Sequence, residues 1–211
     1  MINRKFFFER TKSALFGGSF KQSQVDGLNY LLDTWERDHS KWDDRWLAYA
    51  LGTTHLETGA AMQPIHENGG PKYFERHYGP NGLQAAKAKK NGNIHPGDGA
   101  KYHGRGFVQL TWHVNYQAMT THLTNTFGKT IDLVNNPDLA LQPEYAAEIM
   151  FHGMNVGTFT GRKFSDYFTK NANGTPAKDN WVGVRAIING TDKAPVIAGF
   201  AKTYYSALSY I

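Results

Sequence analysis

Apolar residues recur at intervals of three and four over much of the chain, the period of helices that bury one face. From Ser23 to Asp38 the positions are Val25, Leu28, Leu31, Leu32 and Trp35, with Ser23 placed to cap the helix. A second run starts at Asp43-Asp44, acids suited to a helix N-terminus, and extends to Thr58 before Gly59. At about 100° per residue, Leu47, Ala50, Leu51 and Thr54 share one face of it and Glu57 falls at the edge. Residues 3–15 predict a short amphipathic helix stopped by Gly17-Gly18, with Phe6, Phe7 and Phe8 packing on the core. Further helices are expected over 82–90, over 113–127 with Thr111 as cap, and after Pro143, where Tyr145, Ile149, Met150 and Met154 are core positions. A short helix near 164–169, a polar loop, the buried helix WVGVRAIING and a last helix capped by Thr191 or Asp192 complete the series.

Two stretches break this pattern. Between 59 and 106 Gly, Pro and Asn dominate, and long loops inside a compact domain are usually functional. In GRGFVQLTW, Phe107, Gln109 and Thr111 alternate with Val108, Leu110 and Trp112, the period of a strand with one apolar face. The glycines there allow a tight turn or a close approach of backbone to ligand. The pattern predicts an α+β fold, predominantly helical, with one small antiparallel sheet and two lobes around a cleft. Residues 1–211 are read as a single catalytic domain, with the helices of residues 1–40 packing on it and no separate wall-binding module.

Composition narrows the class. No apolar run is long enough to span a bilayer. The opening MINRKFFFERTK has too short an apolar cluster for a signal peptide, and there is no cysteine, so a protein made and kept in a cytoplasm is expected. The formal charge is +5, but Lys and Arg are scattered and no recognition-helix or RNA-binding pattern accompanies them, so nucleic acid is not an expected partner. Among the nine histidines no HExxH or other tight ligand pair is apparent. His55, His66, His77, His95, His103 and His113 are read as surface, packing or sugar contacts, and neither metal nor cofactor is expected.

The chemistry concentrates in WLAYALGTTHLETGAAMQPIHENGG. Glu57 lies in the last turn of a rigid apolar helix, and Glu67 follows across a short loop. Two carboxylates in unlike environments can serve as acid and base, and cleavage of a glycosidic bond is the reaction such a pair suggests. Gln109 and Thr111 offer an amide and a hydroxyl suited to sugar hydroxyls or a water.

KYHGRGFVQLTWHVNYQ resembles the motif of family-19 glycoside hydrolases, the chitinases and their phage endolysin relatives. HLETGAAMQPIHENG, NNPDLA and VRAIINGTDKA are similar to further family segments, in the family's order. The resemblance covers about residues 46–193 and implies a lysozyme-like fold with the small sheet beside the cleft. It implies Glu57 as general acid, Thr58 as the hydroxyl residue after it, and Glu67 as base, with Glu75 the alternative. It further implies Arg105, Gln109 and Thr111 on the strand lining the cleft, Thr111 and Gln109 positioning the water. Tyr116, Arg185 and Asn189 become substrate-binding residues. Leu56 departs from the family's usual histidine before the acid. An inverting mechanism follows, with the carboxyls about 6.5–9.5 Å apart.

The expected protein is then a monomeric endolysin that cuts β-1,4 bonds of peptidoglycan, kept in the host cytoplasm and dependent on a holin-type pore to reach the wall. A chitinase and a non-catalytic glycan-binding module are the alternatives, and a transglycosylase product is a further one.

Overall fold

The computed structural model describes residues 1–211. In chain order its first elements are helices α1 (Arg4–Leu15), α2 (Gln22–Thr34) and α3 (Asp44–Glu57), strand β1 (Ile65–His66), and helices α4 (Pro71–Tyr78), α5 (Ala85–Lys90) and α6 (Asp98–Lys101). Strand β2 (Arg105–Gly106) and helices α7 (His113–Phe127) and α8 (Pro143–Val156) follow. Strands β3 (Phe168–Lys170) and β4 (Pro176–Asp179) and helix α9 (Ala194–Ala207) close the chain. The α+β, predominantly helical class is as expected, but with two small antiparallel sheets rather than one. The chain forms two compact units, residues 1–63 with 154–211 and residues 64–153.

The first unit is built on α3. Asp43 caps it, accepting the Arg45 N–H at 3.0 Å. Every residue from Leu47 to His55 is buried, so the helix is enclosed all round rather than on the one face that its periodicity suggests. Small residues make this possible. A Cβ on Gly52 would meet the backbone nitrogen of Ala201 at 2.8 Å, so only glycine lets α9 approach so closely.

Helix α1 also packs on α9, and its Phe7 is fully buried and stacks on Tyr204 with centroids 6.0 Å apart. Phe6 is exposed instead, so only part of the Phe cluster is core. Helix α2 begins at Gln22, before Ser23, with Lys21 at its cap, the Lys21 N–H donating to the Gln24 side chain at 2.8 Å, and a π-helical turn over Trp35–His39 follows it.

The polar stretch after Asp166 is not a loop but the β3–β4 hairpin. Arg45, 1% exposed, pins it to the start of α3, donating to the carbonyls of Thr169 (2.9 Å) and Lys178 (2.7 Å) and to Asp43 and Asp179. Burial pushes the Asp43 carboxyl up, but the hydrogen bonds and charge of Arg45 outweigh it and hold the carboxyl below the ordinary range. WVGVRAIING forms a 3-10 turn over Gly183–Ile187 rather than an α-helix. Lys193, at φ 58°, stands at the cap of α9 with no side-chain cap bond, and Thr191 contributes its backbone carbonyl, which accepts the Ala194 N–H at 3.2 Å.

In the second unit β1 pairs antiparallel with β2, Ile65 opposite Gly106 and His66 opposite Arg105. The strand expected over GRGFVQLTW stops there. Leu110 returns to bridge Arg105, and Gln109 and Trp112 take φ of 56° and 79°. Phe107, Val108, Leu110 and Trp112 are all buried, so the alternation came from a tight turn wrapped into the core. Helix α4, which starts on Pro71, lies within the run read as loop. Helices α7 and α8 match expectation, but Thr111 does not cap α7; its hydroxyl donates to the Gln109 carbonyl at 2.8 Å. No helix is long and apolar enough to cross a membrane.

Candidate functional site

In the first unit Glu57 is the last residue of α3, carried there by the most buried helix of the chain. Its Oε1 lies 2.6 Å from Nη1 of Arg185, the side chains being 17% and 4% exposed. The Arg185 Nε donates to the Asp192 carbonyl at 3.0 Å, so the guanidinium ties the helix end to the loop before α9. Arg185, expected at the substrate, is thus directed at Glu57.

Thr58 is buried. Its hydroxyl donates to the Thr54 carbonyl at 2.7 Å and accepts the Met62 N–H at 3.0 Å, so it holds the turn after α3 rather than facing a ligand. Asn189 is exposed, with its backbone N–H on the Arg185 carbonyl at 3.1 Å. Two residues before Glu57, His55 is buried with Nδ1 3.0 Å from the Tyr204 hydroxyl. Burial lowers its pKa to about 4, so at neutral pH it is an uncharged packing group.

In the second unit Glu67 follows β1. The Tyr78 hydroxyl donates to its Oε1 at 2.7 Å and the Gly104 N–H to its Oε2 at 3.2 Å. The Glu67 N–H in turn donates to the Gly104 carbonyl at 2.9 Å. A Cβ at residue 104 would lie 2.9 Å from Gln109 Oε1 and 3.1 Å from Glu67 Oε2. Gly104 is therefore the point on which Glu67 and Gln109 converge, and the missing side chain is what lets its N–H face the carboxylate.

Gln109 is anchored by its amide, which donates to the carbonyls of Ile65 and Gly106, both at 3.1 Å. The Thr111 hydroxyl has its proton on the Gln109 carbonyl and keeps its lone pairs to accept. Glu75 is turned inward, Oε2 accepting the Gly99 N–H at 3.1 Å, a structural engagement that separates it from Glu67.

Arg105 and Tyr116, expected at the substrate, are interior. Arg105 Nε bonds Asp138 at 2.7 Å, and its Nη1 donates to the Lys101 and His103 carbonyls and the Tyr116 hydroxyl. Tyr116 is fully buried, its hydroxyl donating to the His103 carbonyl at 2.8 Å, and burial raises its pKa so that it stays a donor. Together they brace the His103–Gly104 backbone beneath Glu67. His103 Nδ1 donates to the Ala100 carbonyl at 2.7 Å, which leaves Nε2 to accept from His66 Nδ1 at 3.2 Å.

The partners Tyr78 and Gly104 were not singled out by the sequence. Tyr78 sits on the helix hidden in the loop-like run, so no periodic signal marks it. The glycine-rich KYHGRG did allow close backbone approach, without saying to what. A group of metal-capable side chains, His122, Glu148 and His152, lies on α7 and α8.

No protein-family model matches the chain, and no curated protein matches it. Among solved structures it is similar to chitinase C from Streptomyces griseus, at 21% identity and a TM-score of 0.45 over 74% of this chain and 67% of that one. It is also similar to a bacterial family 19 chitinase, at 26% identity and a TM-score of 0.43 over 76% of this chain and 71% of that one. Likeness at this level leaves the chemistry to be read from the chain's own residues.

Proposed function

We propose that the protein is a glycoside hydrolase that cuts β-1,4 bonds in glycans containing N-acetylglucosamine, with bacterial peptidoglycan as its substrate. The observation that carries this reading is that each expected carboxylate is held by groups of its own unit, Glu57 by Arg185 and Glu67 by Tyr78 and Gly104. The four motifs in family-19 order support it.

Glu57 gives its proton to the glycosidic oxygen as the bond from the anomeric carbon breaks. Glu67 takes a proton from a water whose oxygen attacks that carbon from the opposite face, which inverts the configuration. Thr111 accepts a hydrogen bond from that water, Gln109 helps place it, and Asn189 meets an N-acetyl or hydroxyl group of the sugar. Arg185, with its donor already on Glu57, acts by orienting the acid and by releasing it when substrate arrives. No step calls for a metal or cofactor.

Acting on the wall from a host cytoplasm, as a monomeric endolysin, the enzyme would depend on a membrane pore of the holin type. Chitin, which shares the linkage, is the competing substrate.

Clearing of permeabilised Gram-negative cells and release of sugars from colloidal chitin, for wild type and Glu57→Gln, test the reading. Wild type should clear the cells, and the variant should be about 10²–10⁴-fold slower. Equal behaviour of the two proteins on both substrates would overturn it. Mass spectrometry of the released muropeptides reads the chemistry: a reducing end supports hydrolysis and an anhydro end contradicts it.

A further inference from the structure

Glu148 and His152 are four residues apart on α8, so one helical turn sets them on the same face. His122 reaches them from α7. The ligand atoms of the three side chains all lie within 4.8 Å of one another, and all three residues are half-buried. His122 Nε2 is 2.7 Å from Glu148 Oε1. The His122 and His152 rings stack with centroids 3.3 Å apart and planes 13° from parallel. Thr126, one turn further along α7, brings Oγ1 to 3.4 Å from His122 Nε2.

Two imidazoles and one carboxylate form a donor set for a borderline divalent cation such as Zn²⁺. Such an ion holds nitrogen and oxygen ligands at about 2.0–2.2 Å in a tetrahedron, which sets neighbouring donor atoms roughly 3.3–3.5 Å apart. The observed spacing brackets that value. The close His122–Glu148 pair would open by under about 1 Å, and the widest pair would close by no more than about 1.5 Å. Rotation about side-chain torsions of half-buried residues supplies movements of that size. The single carboxylate is a poor match to Ca²⁺ or Mg²⁺, which take six or more oxygens.

We propose that His122, Glu148 and His152 bind one divalent transition-metal cation, with Zn²⁺ preferred and solvent water as the fourth ligand. The ion clips α7 to α8. His122 lies nine residues into α7, roughly 13 Å along the axis from the end that follows Thr111, so the site is separate from Gln109 and Thr111. It also stands independently of the glycosidase reading. Sequence spacing alone shows only half of it, because Glu-x-x-x-His becomes a site only when α7 delivers His122.

The test uses the full chain freed of metal by a chelator and titrated with Zn²⁺ by calorimetry. A parallel titration with Co²⁺ is followed by its visible absorption. Wild type should take up one Zn²⁺ per chain and develop the intense Co²⁺ bands of a four-coordinate site. The double substitution His122→Ala with His152→Ala should weaken binding at least tenfold. Zn²⁺ at a hundredfold the wild-type dissociation constant should raise the unfolding midpoint of wild type by about 5–10 °C and that of the double variant by no more than about half as much. Circular dichroism checks that the double variant folds. If it does not, Glu148→Gln, which keeps the side-chain shape, is read in its place with the same tenfold loss expected. No uptake by wild type overturns the proposal. So does uptake of equal affinity in the variants, which would put the metal on other histidines.

Discussion

His55 gives the first unit a built-in acid sensitivity whose size can be worked out. The ring is buried beside Phe16, Phe200 and Tyr204, with centroids 5.1, 4.4 and 6.0 Å away, and burial lowers its pKa from 6.5 to about 4. A histidine with a depressed native pKa stays neutral in the fold while the unfolded chain takes up a proton. Its contribution is therefore complete above about pH 6.5 and is lost as pH falls toward 4. At 1.36 kcal/mol per unit, a separation of about 2.5 units amounts to about 2 kcal/mol lost by pH 5 and about 3 kcal/mol by pH 4. That is a large part of a typical domain's 5–15 kcal/mol. Urea unfolding between pH 7.5 and pH 4, for wild type and His55→Phe, measures it. The Phe variant should lack this part of the slope, so the stability of wild type relative to the variant should fall by about 3 kcal/mol between pH 7.5 and pH 4. Parallel curves would refute the reasoning, since they would mean that His55 titrates alike in both states.

Gly104→Ala should cut glycan hydrolysis about 10–100-fold while moving the unfolding midpoint little, because the nearest atoms its Cβ meets belong to the side chains of Gln109 and Glu67 and not to backbone. Steady-state rates beside a thermal melt check this. Tyr78→Phe should lower kcat roughly tenfold with KM within about twofold, since it removes a hydrogen bond that orients Glu67; an unchanged kcat would remove Tyr78 from the mechanism. Arg45→Met should cost about 3 kcal/mol in denaturant unfolding, because two hairpin carbonyls lose their donor and the Asp43 carboxylate keeps only the residue-45 N–H and Lys170.

Long periodic helices were legible in the sequence, and α2, α3, α7, α8 and α9 lie where their apolar spacing puts them. Burial was less so. Periodicity gave α3 one apolar face, whereas Ala48, Gly52 and Thr53 are small enough for neighbours to close on its other sides. Helix α4 was hidden because PKYFERHY lies in a Gly- and Pro-rich run with one buried apolar residue, Phe74. The β3–β4 hairpin was hidden because β4 is wholly exposed and its anchor, Arg45, lies more than a hundred residues away. The GRGFVQLTW misreading has a similar source. A tight turn with two residues at positive φ can bury alternate side chains much as a strand does.

At the candidate site the sequence singles out the two carboxylates as candidates, but not the groups that hold them. Glu57–Arg185 joins residues 128 apart, and Glu67–Gly104 joins residues 37 apart, contacts that no local spacing encodes. For the same reason Arg105 and Tyr116 could be located in a motif without revealing that they support the backbone from within.

The first unit is discontinuous, and that has a consequence for the order in which the protein is made. Residues 64–153 form one uninterrupted stretch, whereas α3 must wait for α9, some 140 residues later, before Gly52 can meet Ala201. A ribosome adding about 5–20 residues per second presents the second unit whole while α3, the helix bearing Glu57, still lacks the partner that encloses it. For those seconds the nascent chain holds an apolar helix open to chaperones. The slowest folding step should be the late arrival of the C-terminal segment, a loop closure over long sequence distance.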